Sequence, residues 1–197
     1  MGNREDLLAG AKRCLLDKGY ERSTVRDIAT EAGVSMAAIG YHFGSRENLL
    51  NAALFEAMDE WGAEVARTLG AEGESDAGTA ERFEAMWARM IDSFTSHRPL
   101  WLASVEAFMQ AARSSELRDR LADGMRQGRA GQAAALLVTG EDSLPDEQVR
   151  SLGSVHMALL SGVMLQWMVS PEDAPSAAEV ARGLRALSGV VWPDGES

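Results

Sequence analysis

Arg26, Ser35, Tyr41 and His42 are the residues whose types and spacing offer recognition chemistry. They bring a guanidinium, a hydroxyl, a phenol and an imidazole within one short stretch, T-V-R-D-I-A-T-E-A-G-V-S-M-A-A-I-G-Y-H-F, from Thr24 to Phe43. Such groups donate hydrogen bonds to phosphate oxygens, and an arginine can also read the edge of a guanine. Catalytic chemistry has no comparable constellation. There are 3 histidines and 1 cysteine, with no H-E-x-x-H, G-x-S-x-G elbow, P-loop or dinucleotide fingerprint. We expect no catalytic residue, no metal site and no cofactor. The carboxylates fall mostly at the spacing of solvated helix faces.

The elements that must position these groups are two short amphipathic helices joined by a glycine turn. Ser23 or Thr24 can cap the first, whose Val25, Ile28, Ala29 and Ala32 recur at i, i+3, i+4 and i+7. Gly33 ends it, since a left-handed residue costs least without a Cβ. Val34 can pack inward and Ser35 can cap the second helix. At about 100° per residue, Ile39 and Phe43 point to one side while Ala37, Ala38 and Tyr41 point to the other. Gly40 and His42 sit on the flanks, and Met36 is angularly ambiguous. The pattern is that of a helix-turn-helix, although an ordinary helical hairpin shares its caps and glycine turn.

The stretch A-G-V-S-x-x-x-I-x-Y-H-F-G-S-R-E-N-L-L resembles the DNA-binding signature of the TetR-type transcriptional repressors. R-E-D-L-L-A-G-A-K-R-C-L-L-D-K-G-Y-E-R-S-T-V-R-D-I-A, before it, resembles that family's first helix and the approach to its second. The likeness covers roughly residues 4–50; beyond it only length and helical layout agree. It implies that Tyr41, His42, Thr24, Ser45 and Arg46 contact the phosphate backbone. Base reading falls to Arg26 and to the start of the recognition helix, Ser35, Met36, Ala37 and Ala38. Gly40 departs from the family, in which most members carry tyrosine there, and a mid-helix glycine costs about 1 kcal/mol against alanine. Met36, Ala37 and Ala38 offer only apolar contact, such as with a thymine methyl.

The 197 residues are 46% hydrophobic and 25% charged, the profile of a globular chain. The net charge of −11 is unevenly placed. Residues 1–55 hold seven basic and seven acidic side chains, leaving 12 basic and 23 acidic in the remainder. The excess acid therefore lies outside the reading head and lowers non-specific affinity for a duplex. No secretory h-region opens the chain, and Val155–Val169 is short of the roughly 20 residues that span a bilayer. We expect a cytoplasmic protein with no membrane partner. Cys14 reads as a small core residue.

The remaining periodicity predicts an all-α fold of about nine helices. Residues 1–45 would form the helix-turn-helix domain and 46–197 a ligand-binding and dimerisation domain. A linking helix would occupy 46–69, and the acidic segment 70–78 would be a loop. A long helix near Asp146–Val169 is apolar almost all round, with the small residues Ser154, Ala158, Ser161 and Gly162 in one stripe. With the last helix it would form a four-helix bundle across a two-fold axis, although burial within one monomer would also cover it. Met86, Met90, Phe94, Trp101, Met109, Met157, Met164 and Trp167 suit an apolar pocket for a small lipophilic effector, with His156 orienting it. The same residues could simply fill a core. The sequence thus predicts a ligand-responsive repressor that binds a palindromic double-stranded DNA operator as a homodimer. A helical protein-binding module with a decayed DNA head and an all-α enzyme are the other readings.

Overall fold

The computed structural model describes residues 3–72 and 78–193, all-α among those residues. Of the acidic segment 70–78 expected as a loop, residues 70–72 instead extend the linking helix, and 73–77 lie outside the described residues. The helices are α1 (Asn3–Lys18), α2 (Val25–Ala32), α3 (Met36–Phe43), α4 (Arg46–Glu72) and α5 (Thr79–Ser96). They continue as α6 (Arg98–Ala111), α7 (Ser115–Leu137), α8 (Asp146–Val169) and α9 (Ala177–Val191). Pro99 sits inside the first turn of α6, where its missing N–H has no helical acceptor to lose. α8 is interrupted by a π-helical turn over Val149–Gly153.

Two compact units make up the chain. The first comprises Met1–Thr68 with His97–Gly124, the second Leu69–Ser96 with Met125–Ser197. In the first, Leu7, Ala11 and Leu15 of α1 are completely buried with Ile28 of α2 and Leu49, Leu50 and Ala53 of α4. Leu100, Ala103 and Ala107 of α6 complete this core, so the reading head shares it with a helix that the sequence placed in the body. Gly10 is required where α1 meets α2, because a Cβ there would lie 2.9 Å from the Ala32 backbone nitrogen. Gly33 ends α2 at φ +67°, its N–H donating to carbonyls of the last turn.

The second unit is built on α5 and α8, with α9 and the C-terminal part of α7. Met86, Trp87, Met90, Ile91 and Phe94 form the buried stripe of α5. Leu160, Val163 and Met164 are the buried apolar residues of the C-terminal part of α8. Counted as one helix from Asp146, α8 has 24 residues and is long and apolar enough to cross a membrane, which the shorter run Val155–Val169 is not. α8 approaches α7 closely at Gly153, where a Cβ would lie 2.3 Å from the Arg129 carbonyl oxygen. Of its most apolar stretch only 28% is buried.

Candidate nucleic-acid interface

The turn between α1 and α2 sets the attitude of the reading head and is fixed by several side chains. Arg46, at the start of α4, donates from Nε to the Ser23 carbonyl at 2.6 Å and from Nη2 to the Tyr20 carbonyl at 2.6 Å and the Glu21 carbonyl at 3.3 Å. Its Nη1 pairs with Glu47 at 2.8 Å. From α6, the Glu106 carboxylate accepts the Tyr20 backbone N–H at 2.8 Å, and Gln110 donates to the Glu21 carboxylate. The Tyr20 hydroxyl donates to Asn51 Oδ1 at 2.6 Å, and burial pushes its pKa up to about 12.

α2 begins with a reciprocal cap. Thr24 Oγ1 accepts the Asp27 N–H at 3.1 Å while Asp27 Oδ2 accepts the Thr24 N–H at 3.0 Å. Lys18 donates to Asp27 at 2.7 Å. That bond, with the Thr24 bonds, holds the Asp27 carboxyl well below the usual carboxylate range. The sequence left Ser23 and Thr24 both open as the cap and did not mark Asp27 as its reciprocal partner.

Beyond these fixtures lies an uncommitted face. Arg26 is exposed and makes no hydrogen bond or ion pair among the described residues. Tyr41 is 86% exposed, its ring edge-on to His42 at 4.8 Å. Met36, Ala37 and Gly40 are exposed, and His42 is half-buried. Ser35 precedes α3 in an extended conformation, but its hydroxyl makes no capping bond, contrary to expectation, and stays exposed. Ser45 Oγ instead caps α4 by accepting the Asn48 N–H at 3.0 Å.

Two expected contacts are corrected. Ala38 is buried in the core rather than outward, because α3 packs against both α1 and α2 and its inward arc is wider than a single angular stripe. Arg46 is not a free phosphate contact. Its side chain is only 20% exposed, and most of its five N–H groups bond protein acceptors.

The residues expected around an effector divide between the units. Trp101 lies in the first, edge-on to Trp61 at 4.7 Å, and Met109, on α6 in the same unit, is 72% exposed. Both were assigned by residue type alone. In the second unit Met86, Met90, Phe94, Met164 and His156 are buried, with Met157 and Trp167 half-buried. Trp167 donates to the Pro175 carbonyl at 3.0 Å and so fastens the α8–α9 turn. His156 lies edge-on to Trp87 at 5.4 Å and 6.2 Å from Phe83, and burial pushes its pKa down to about 4. Phe83 and Trp87 were missing from the sequence-derived site, although an aromatic pair at i, i+4 on the buried face of one helix was the available signal.

Open depressions follow the outer side of α8. One, of about 350 Å³, is lined by Val155, Ala158, Leu159, Gly162, Val163 and Gln166; the other, of about 360 Å³, runs from Leu165 to Ala174.

Comparison with known proteins agrees with both halves of the chain. Residues 7–53 match the profile described as "Bacterial regulatory proteins, tetR family", and residues 78–190 match "Tetracyclin repressor-like, C-terminal domain". The transcriptional repressor AcnR of Corynebacterium diphtheriae is 35% identical over 107 residues, 50% of this chain and 55% of the relative. The match thus spans about half the length of that relative. BetI, a transcriptional regulator of Burkholderia mallei, is 25% identical over 181 residues, covering 90% of this chain and 89% of its own. Among solved structures, the multidrug-binding protein EbrR in complex with proflavin superposes with a TM-score of 0.68 at 23% identity, over 94% of this chain and 99% of its own. That likeness is one of fold.

Proposed function

The chain belongs to the tetR family of bacterial regulatory proteins, and from that premise we propose that it is a ligand-responsive transcriptional repressor that reads a two-fold operator as a homodimer. The observation that carries this reading is the uncommitted face of α2 and α3, where Arg26 and Tyr41 project into solvent beside groups already bonded within the protein. Arg26 reads a guanine edge; Tyr41, His42 and Ser35 hold phosphate and set register. Thr24 and Ser45 serve first as helix caps: Ser45 keeps its hydroxyl hydrogen to donate to a phosphate, whereas the Thr24 hydroxyl donates to Asp27 at 2.6 Å and must give up that bond to reach one. Apolar contact comes from Met36 and Ala37. The glycine at position 40, with nothing within 4 Å of a built Cβ, lets the helix approach the duplex closely.

A two-fold operator needs two heads, and the uncovered side of α8 supports the pairing. Val155 is 60% exposed, Leu165 46% and Val169 86%, while on α9 Leu187 is 56% and Val190 78% exposed. Ala158 and Gly162 leave a groove between larger neighbours that suits a second helix. The partner is a second copy of the chain, and its head then enters a major groove about 34–36 Å away or a multiple of that. A small effector held within the second unit changes DNA affinity by preferring one packing of the body over another, acting in the compartment that holds the DNA.

The test compares Arg26→Ala with Tyr41→Phe across operator variants in electrophoretic shift assays. The alanine should cost ~1–3 kcal/mol and relax preference at one base pair of each half-site, whereas the phenylalanine should weaken all sequences about equally. An unchanged rank order of operators for Arg26→Ala would remove the base-reading role.

A further inference from the structure

Four neutral polar atoms in the second unit are buried without a hydrogen-bond partner among the described residues: both ring nitrogens of His156, Trp87 Nε1 and Gln132 Oε1. His156 is 3% exposed and Trp87 fully buried. A buried polar group left unpaired is costly, and native interiors rarely keep several together. Three of the four belong to one ring contact. Trp87 and His156 face each other at 5.4 Å with Phe83 beside them, and Gln132 sits one turn along α7 from Arg129. The backbone is unusual at the same level. The π-helical turn of α8 ends at Gly153, three residues before His156, and a Cβ on Gly153 would lie 2.3 Å from the Arg129 carbonyl oxygen. Isolated π turns inside helices often accompany functional sites.

We propose that this cluster is the effector site and that it takes an uncharged, flat aromatic molecule bearing a hydroxyl or amide group. The assignment rests on the ligand-responsive reading above and adds the class of ligand. The chemistry follows from the orphan atoms. A neutral imidazole supplies one donor and one acceptor, the indole one donor, and the glutamine oxygen one acceptor. A ligand with both a donor and an acceptor satisfies this set, while Phe83 and Trp87 offer ring edges and faces for stacking. Charge is disfavoured in both directions. No acidic side chain is buried among the described residues to receive a cation. An anion would sit against an imidazole that burial keeps neutral, so its charge would go uncompensated at the ring.

A matched naphthalene series tests this on the full chain: 2-naphthol, naphthalene, 2-naphthoate and the 2-naphthyl trimethylammonium cation. Affinity is read by calorimetry, and contact by the Trp87 indole N–H resonance, assigned through Trp87→Phe; operator release is scored separately. 2-Naphthol should bind at least ten-fold more tightly than each of the others and move the Trp87 resonance. His156→Phe should lose that preference over naphthalene while still binding naphthalene, which shows that the variant has folded. Equal affinity for naphthol and naphthalene, tighter binding of either ion, no binding by any of the four, or a preference unchanged in both variants overturns the proposal. If a charged probe releases operator, the ligand-responsive reading survives and this ligand class does not. If 2-naphthol binds at Trp87 without changing operator affinity, the ligand class stands and the regulatory reading fails.

Discussion

Replacing Arg46 by lysine separates two roles that the residue could play at the DNA head. Both side chains carry one positive charge and can reach a phosphate, but only the planar guanidinium can bond several carbonyls of the α1–α2 turn together. In the structure Nε and Nη2 each donate at 2.6 Å, to Ser23 and Tyr20, from a side chain only 20% exposed. Hydrogen bonds from charged groups contribute roughly 1.5–3 kcal/mol each. An ammonium can replace one of the two, so the net loss is about 2 kcal/mol. In a chain of this size each kcal/mol moves the unfolding midpoint by roughly 2–4 °C, so Arg46→Lys should unfold ~4–8 °C below the parent by calorimetry. Because few counterions are released at a side chain already committed to protein, the slope of log affinity against log salt should change by much less than ~1. A variant with the parental midpoint, and with the slope reduced by a full unit in Arg46→Gln, would refute the structural role and return Arg46 to the phosphate contacts.

Gly40→Ala should stabilise the protein by about 1 kcal/mol in urea unfolding, since Gly40 is mid-helix and exposed with open space for a Cβ; a loss of DNA affinity in the same variant marks the close approach of α3 to the duplex. Ala158→Glu places a carboxylate in the small-residue groove of α8 and should yield a monomer in sedimentation together with loss of operator binding; an intact dimer counts against α8 as the interface. Acid should weaken the fold through His156, because a histidine depressed from 6.5 to about 4 binds its proton more readily when unfolded. Stability from its neutral burial is full above pH 6.5 and is lost as pH falls towards 4, amounting to about 2–3 kcal/mol between pH 7 and 4.5. The denaturant midpoint of the parent should fall relative to that of His156→Leu as pH drops through that window, and parallel curves would show that His156 carries no such linkage.

The head was legible in sequence because its information is local. The cap at Thr24, a left-handed glycine at 33 and the apolar spacing of α2 lie within a few residues of what they govern. The misreadings came from partners distant in sequence. Ala38 turns inward because α1 and α2 both cover α3, and Arg46 is drawn away from solvent by carbonyls some 23 to 26 residues earlier. Nothing in the periodicity of α6 could show that Glu106 fastens Tyr20, 86 residues before it. In the second unit the sequence identified soft and aromatic residues but could not say which of them meet. Trp101 and Met109 share composition with Met86 and Met164, yet one packs on Trp61 and the other faces solvent. The aromatic neighbours of His156 depend on how α5 packs on α8, which residue type alone does not encode.

The most direct measurement of the central claim is a footprint of the full chain on its own promoter fragment, with a scrambled fragment of equal composition as competitor at physiological salt. The account predicts a protected inverted repeat with half-site centres about 34–36 Å apart, or a multiple of that spacing. It also predicts a preference of at least ~10³ over the competitor. Equal affinity for both fragments, or protection of a single isolated half-site by a monomer, would contradict it.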